Sequence, residues 1–499
     1  AVAEFCENSE KFPGINIVVE PVRKYTSGTV ASHILGYAGK ITGDEYNAKK
    51  DKYDINDIIG RTGIESVFEE YLKGKNGTKQ IDMGVDGTSS GEYVTKEAVA
   101  GSNIVLTIDA NLQRIVENTL ASNIQKIASG GFGKTYDAQA RKCCGYECKN
   151  WRGTSYPDYD PSKFVGGIST KDWNEYNNNP NHPLVNKAMQ VSYAPGSTFK
   201  MVTAIAALES NVVSIDERIN DTGVYKLGNR TWNCWYYTDY HVGHGRLNVS
   251  DAIKHSCNYY FYEVGNRMGI DNLVKFAKYF GLGSKTGIEL PSETKGVLAS
   301  KEVKQARGET WVSGDTLNAS IGQGDNEFSP LQMAKYISTL ANGGNKVDVS
   351  IIKTIINADG TEVPKSEINS FVNSKLGLTD EQDDGTTIKK EYLDAVLDGM
   401  QSVTQETGGT AYNIFKNFSI KVGGKTGSAE APGNKVNAWF VGYAPFDDPE
   451  IAIVVMVENG GHGNYTAEVV RDIMAEYFGI NTQDITENMQ EKPYTEIMQ

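Results

Sequence analysis

The sequence predicts an α+β chain in which a small N-terminal module precedes a larger domain built on one antiparallel sheet flanked by helices. Strong helical periodicity fills the middle of the chain. Three strand-like runs, "FSIKVGGKTGSAE", "NAWFVGYAPF" and "IAIVVMVEN", then follow one another through short turns. The composition also changes near residue 100, from short pieces rich in Gly, Lys and Asp to longer elements. At 499 residues the chain exceeds one ordinary core, so two or more domains are expected.

In residues 1–100, "INIVVEPV" reads as extended and "IESVFEEYLKG" as a helix with Ile64, Val67, Phe68 and Leu72 on one face. After the extended "IVLTID", a long helix opens, capped by Asp109. Residues 130–190 are polar and broken by Gly and Pro, so they are expected to be irregular. "STFKMVTAIAALES" is a helix, "SDAIKHSCNYYFYEVGNRMG" is two helical pieces with a break, and "DNLVKFAKYFG" and "AEVVRDIMAEYFG" are further helices. The larger domain is placed at 101–480 and a polar tail at 481–499.

The chain carries 49 basic and 63 acidic residues, a net charge of -14, and has no basic stripe with interleaved aromatics, so nucleic acid is not an expected partner. No run approaches the roughly 18 apolar residues of a membrane-spanning helix. The chain begins "AVAEFCEN" without an initiator Met, which fits removal of an anchor or leader. Cys6, Cys143, Cys144, Cys148, Cys234 and Cys257 are too few and too unevenly placed for a disulfide scaffold, and their clustering points to metal or redox chemistry.

Three short motifs carry chemistry together where none does alone. In "YAPGSTFKMVTA" the Pro-Gly turn places Ser197 at a helix start and Lys200 one turn later on the same face, a nucleophile beside a base. In "KHSCNYYF", Ser256 and Asn258 alternate at the break between two helical pieces and can send a hydroxyl and an amide to one side of a cleft. In "KVGGKTGSAE", Lys425 and Thr426 lie on a strand, and Gly427 leaves room for a substrate backbone at its edge. A second Lys-Thr-Gly begins at Lys285 in "GLGSKTGIELPSE", outside any strand, and is read as an ordinary turn.

This order of motifs resembles the penicillin-recognising serine acyltransferases. With "RTGIESVFEEYLKGKNG", "ASHILGYAGKIT", "LTIDANLQRIVE", "GHGRLNVSDAIKHSCNYYFYEVG" and "ASIGQGDNEFSPLQMA", the chain from about residue 15 to 480 is similar to the class B penicillin-binding proteins of the elongation type. The resemblance implies a pedestal, or dimerisation-type, domain and a transpeptidase domain with the serine β-lactamase-like sheet. It also implies an anchor holding the protein on the extracytoplasmic face of the membrane. Two departures stand out: "RKYTSG" replaces the usual Arg-x-Tyr-Pro of the pedestal, and "AQARKCCGYECKNWRGT" occupies the place of an apolar hairpin.

The resemblance implies a peptidoglycan D,D-transpeptidase in which Ser197 attacks the penultimate D-Ala carbonyl of a stem peptide with Lys200 as base. Ser256 would relay the proton and Asn258 orient the peptide. Lys425 and Thr426 would bind the terminal carboxylate, and the Ser197 and Ser428 backbone N–H groups would form the oxyanion hole. Gln323 would shape the cleft floor. β-Lactams would acylate Ser197, and a membrane glycan polymerase is the implied partner. A D,D-carboxypeptidase, a β-lactam sensor or β-lactamase, and a non-catalytic scaffold of the wall-synthesis complex are the alternatives. The extra N-terminal module and the long Ser197-to-Lys425 separation weigh against a compact β-lactamase.

If Ser256 and Asn258 face the cleft, Cys257 points away, toward Cys234 and His244. With Asp221 these make a carboxylate, an imidazole and two thiols, a set that suits tetrahedral zinc in a closed structural site, and some elongation-type relatives resemble this arrangement. His241 competes with His244. The alternative is that Cys257 is a small buried hydrophobe, Cys234 packs beside Trp235 and His244 bonds backbone. Cys143, Cys144 and Cys148 lack an evident fourth ligand.

Overall fold

The computed structural model describes residues 7–8, 11, 22–83, 89–134, 141–147, 150–156, 158–379 and 385–481. Cys6, Cys148, the segment "INIVVEPV" up to its last residue and the tail 482–499 lie outside these, and the side chains of Cys143 and Cys144 are likewise not described. Two compact units result. The first comprises residues 1–106, 160–173 and 352–378, and the second 107–159, 174–351 and 379–499.

The first unit joins two later segments to the N-terminal stretch. Asn103–Leu106 pairs antiparallel with Ile352–Ile356, which draws a distant segment into the module. The helix Lys365–Leu376 that follows lays Phe371 against Phe68 and Tyr71, with ring centroids 5.7 and 5.0 Å apart. Ile64, Val67 and Phe68 are buried as the periodicity predicts, but the helix breaks at Phe68 (φ -101, ψ 20) into Gly63–Val67 and Glu69–Leu72. Although "RKYTSG" departs from the family pattern, Arg23 and Tyr25 both bond Glu65, at 2.8 and 3.3 Å.

The second unit is organised by a five-stranded antiparallel sheet. Its strands are β1 (Arg141–Glu147), β2 (Asn150–Tyr156), β3 (Gly423–Ala431), β4 (Lys435–Ala444) and β5 (Ile451–Val457), in the spatial order β3-β4-β5-β1-β2. All of β5 and the last eight residues of β4 are buried. Successive side chains of a strand point to opposite faces, so burial without alternation means that helices cover both faces. They include α1 (Ala110–Ala128), whose N-cap Asp109 accepts from the Asn111 and Leu112 N–H groups as expected. The sheet is also contacted by α5 (Pro330–Ala341), α6 (Lys390–Gln405) and α7 (Gly463–Tyr477), while α2 (Lys200–Glu209), α3 (Val249–Lys254) and α4 (Asn258–Tyr279) pack on α6 and on one another.

The cysteine-containing stretch expected to be irregular is instead the hairpin β1-β2, with Cys143 opposite Val455 and Cys144 opposite Val454. Its polar composition hides the strand signal, because the order comes from backbone pairing with β5 rather than from side-chain periodicity.

Candidate active site

The nucleophile segment is fixed by backbone contacts before any side chain is considered. Tyr193 exchanges both hydrogen bonds with Phe328 (3.0 and 2.9 Å), and the Gly196 N–H donates to the Gly322 carbonyl at 2.8 Å. Gly196 has φ +56, and a Cβ there would stand 2.7 Å from the Ser428 carbonyl oxygen, so only glycine lets this turn lie against β3. The turn Gly196–Phe199 is a 3-10 segment rather than the first turn of an α-helix, and α2 begins at Lys200. Side chains at i and i+3 eclipse in a 3-10 turn, which keeps Ser197 and Lys200 on one side. Ser197 is partly exposed between buried neighbours, and its N–H is one of the first-turn donors without an intrahelical acceptor.

Lys200 is fully buried. Its Nζ donates to the Ser256 carbonyl at 2.7 Å, to Asn258 Oδ1 at 2.6 Å and to Ser256 Oγ at 3.3 Å. Those bonds follow from the break between α3 and α4. Ser256 adopts left-handed φ 53, Cys257 is the N-cap of α4 with Sγ accepting from the Tyr260 N–H (3.4 Å), and Asn258 starts the helix. A left-handed serine is strained by about 1–2 kcal/mol. It is held by two donors on its carbonyl, Lys200 Nζ and Trp235 Nε1 (3.0 Å).

β3 supplies the third group. Lys425 is fully buried with Nζ donating to the Thr426 carbonyl (2.9 Å), and Thr426 Oγ1 lies 2.7 Å from Thr410 Oγ1. Burial pulls the Lys200 amine down to about 8, while the Cys234 and Cys257 sulfurs hold it up. Burial and then the Lys200 charge push Lys425 well below the lysine range. Two amines that disfavour each other's charge are the setting in which one serves as a base.

A Cβ at Gly427 would meet Thr198 Cγ2 at 2.8 Å and the Pro195 carbonyl at 3.1 Å, so its missing side chain admits the turn that carries Ser197. Ser428 is exposed, with Oγ accepting from the Gly463 N–H at the start of α7 (3.2 Å). Gln323 is partly exposed one residue after Gly322, whose carbonyl holds Gly196. The second Lys-Thr-Gly lies outside any strand, in irregular chain rather than a turn, where the Thr286 N–H and Oγ1 donate to Glu293 Oε1 at 2.7 and 2.6 Å. Two neighbours of the site, Trp235 and Thr410, belong to no motif, and no local signal marks them.

Behind Ser256 the structure gathers Asp221, Cys234, His244 and Cys257, with ligand atoms all within 4.8 Å of one another. Asp221 Oδ2 lies 2.7 Å from His244 Nδ1 and 3.2 Å from Cys257 Sγ, and Cys234 Sγ is 3.6 Å from His244 Nδ1. Donors 2.0–2.3 Å from a tetrahedral ion stand roughly 3.3–3.8 Å apart, so this set fits zinc with small adjustments. Hydrogen bonds from Cys257 and His244 bring the Cys234 thiol down to about 5, whereas burial raises Cys257. His241 is exposed at the end of Trp235–Tyr240 and outside the cluster.

A serine and a buried lysine on one turn, a second serine and an amide on that lysine, and a Lys-Thr strand edge define the class of a serine acyltransferase. Residues 154–475 match the penicillin-binding protein transpeptidase domain and residues 1–106 the penicillin-binding protein dimerisation domain. The chain belongs to the penicillin-binding protein transpeptidases. It is 31% identical to the peptidoglycan D,D-transpeptidase MrdA of Escherichia coli K12 over 95% of this chain and 74% of that one. A crystal structure of Pseudomonas aeruginosa PBP2 in complex with WCK 5153 superposes with TM-score 0.73 at 30% identity, covering 93% of this chain and 92% of that one. A chain from a peptidoglycan synthase complex coordinating polymerization and crosslinking gives TM-score 0.79 at 28% identity, covering 96% and 80%. Among the described residues no helix is long and apolar enough to cross a membrane.

Proposed function

We propose that this chain is a peptidoglycan D,D-transpeptidase working through an acyl-enzyme on Ser197. The observation that carries the reading is the buried Lys200 amine, one turn after Ser197 and bonded to both Ser256 and Asn258. In the forward step Ser197 Oγ bonds to the penultimate D-Ala carbonyl carbon as Lys200 takes its proton. The Ser197 and Ser428 N–H groups hold the oxyanion, and loss of one such donor typically costs on the order of 3 kcal/mol. The peptide C–N bond then breaks, terminal D-Ala leaves with a proton passed through Ser256, and Asn258 orients the peptide. The amine of a second stem attacks the ester, forming the cross-link and restoring Ser197.

A terminal carboxylate arriving at Lys425 and Thr426 favours the charged form of Lys425, which disfavours charge on Lys200 and leaves the base neutral. Gln323 borders the cleft. Zinc held by Asp221, Cys234, His244 and Cys257 would supply no chemistry to the reaction; as a closed four-ligand site it would fix Cys257, and with it Ser256 and Asn258. The dimerisation-type unit is the proposed dock for a glycan polymerase, a reading supported by likeness to the complex that couples polymerization to crosslinking. A stem-peptide cross-linking role supports a site of action on the extracytoplasmic face of the membrane.

The test uses a fluorescent penicillin and intact mass over hours, with D-Ala release and amine capture followed on a stem-peptide substrate. A single persistent adduct and amine-dependent product are expected. Rapid loss of the adduct would indicate a β-lactamase, and D-Ala release without amine capture a carboxypeptidase.

The pH dependence of acylation follows from Lys200. The titratable groups facing it are Lys425, Cys234 and Cys257. Below about pH 8 the amine is protonated and each further unit removes roughly tenfold of the neutral base. Stopped-flow acylation is therefore expected to rise with pH and level off above about 8, and a rate that is flat from pH 6 to 9 would exclude Lys200 as the titrating base.

A further inference from the structure

We infer that Thr410 is a positioning residue for carboxylate recognition, fixing the direction in which the Thr426 hydroxyl donates. The inference rests on the carboxylate role proposed for Thr426. Thr410 lies in the loop after α6, outside the three motifs, with its Oγ1 2.7 Å from Thr426 Oγ1. Each hydroxyl is the other's side-chain partner, and each has one proton. If Thr426 donates to Thr410, its proton is used up and the strand edge offers a carboxylate only a lone pair. If Thr410 donates, Thr426 is free to donate outward, and the chain Thr410 O–H to Thr426 O–H to carboxylate polarises in one direction. A bound carboxylate selects the second arrangement, which requires a hydroxyl at position 410.

The loop is built to keep that hydroxyl in place. The Gly409 N–H donates to the Glu406 carbonyl (2.9 Å) and the Ala411 N–H to the Val403 carbonyl (3.0 Å), closing the end of α6. Glu406 pairs with Lys254 at 2.7 Å, and a Cβ at Gly408 would come within 3.3 Å of His255 Cε1, so the same loop is seated on the residues just before Ser256. One short loop thus touches the second motif at its base and the third through Thr410.

Stopped-flow acylation would compare wild type, Thr410→Val, Thr410→Ser, Thr426→Val and the double valine variant, each with a penicillin and its methyl ester. For the free acid, Thr410→Val is expected to raise the saturation constant about tenfold with the maximal rate within about twofold, and Thr410→Ser to restore it. The double variant should be no worse than Thr426→Val alone, and the ester insensitive to either change, which also reports an intact fold. Additive losses in the double variant, failure of serine to rescue, or an equal loss with the ester would overturn the role of Thr410 while leaving that of Thr426 standing. Acid binding unchanged in Thr426→Val would instead remove the carboxylate reading itself, and this inference with it.

Discussion

Ser197→Ala is expected to leave no covalent penicillin adduct after hours of incubation, and Lys200→Ala to slow acylation by about a thousandfold, within the range of general-base and nucleophile activation. The serine effect is total because the turn offers no substitute. Thr198 is the adjacent hydroxyl, but it is buried and donates to the Pro195 carbonyl at 2.7 Å. The lysine effect has a structural component that must be separated. Truncation leaves Asn258 Oδ1 without its 2.6 Å donor and the Ser256 carbonyl with Trp235 alone, a stability loss of about 1–3 kcal/mol. Acylation kinetics and thermal denaturation of Lys200→Ala and Lys200→Met together distinguish the two. Both variants should stay folded and both should lose the rate, because a methionine fills the volume but cannot accept a proton. An adduct on Ser197→Ala, or Lys200→Met acylating within tenfold of wild type, would remove these residues from the chemistry.

That the three motifs meet at one place was legible because each motif is local. A Pro-Gly turn before a helix, alternate residues at a helix break, and a Lys-Thr on a strand state their orientation through backbone geometry alone. The turn type was not legible, since 3-10 and α starts share their sequence signals and differ in the contacts that Gly196 makes with Gly322 and Ser428. At Gly427 the sequence shows only that something comes close, and the fold shows that Thr198 and Pro195 do so on the side where a Cβ would stand. The β1-β2 hairpin was hidden because pairing with β5 orders a segment of polar composition. Thr410 reaches Thr426 through a loop closure between residues 16 apart, which no periodicity encodes.

Zinc removal is the second large effect expected. The protein prepared with zinc should carry one ion per chain by elemental analysis. Stripping it should lower the thermal midpoint by about 2–4 °C, equivalent to a few kcal/mol in a chain of this size, and slow acylation by more than tenfold. The coupling runs through one residue. Cys257 is both a candidate ligand and the N-cap of α4, and it separates Ser256, in strained left-handed geometry, from Asn258, the first residue of that helix. Without an ion, the cluster is held by proton-mediated contacts among Asp221, His244 and the thiols, weaker than four metal bonds. The Ser256 carbonyl then depends on Lys200 and Trp235, and Lys200 is the proposed base, whose amine changes protonation during acylation. An ion behind the loop would remove that conflict by letting Lys200 change its hydrogen bonds without releasing Ser256. Cys257→Ser and Asp221→Ala should bind zinc weakly and reproduce the stripped protein, whereas His241→Ala should behave as wild type. Equal zinc content in Cys257→Ser and wild type would place the metal elsewhere, and a zinc-free protein with unchanged acylation would leave Ser256 held by its protein contacts alone.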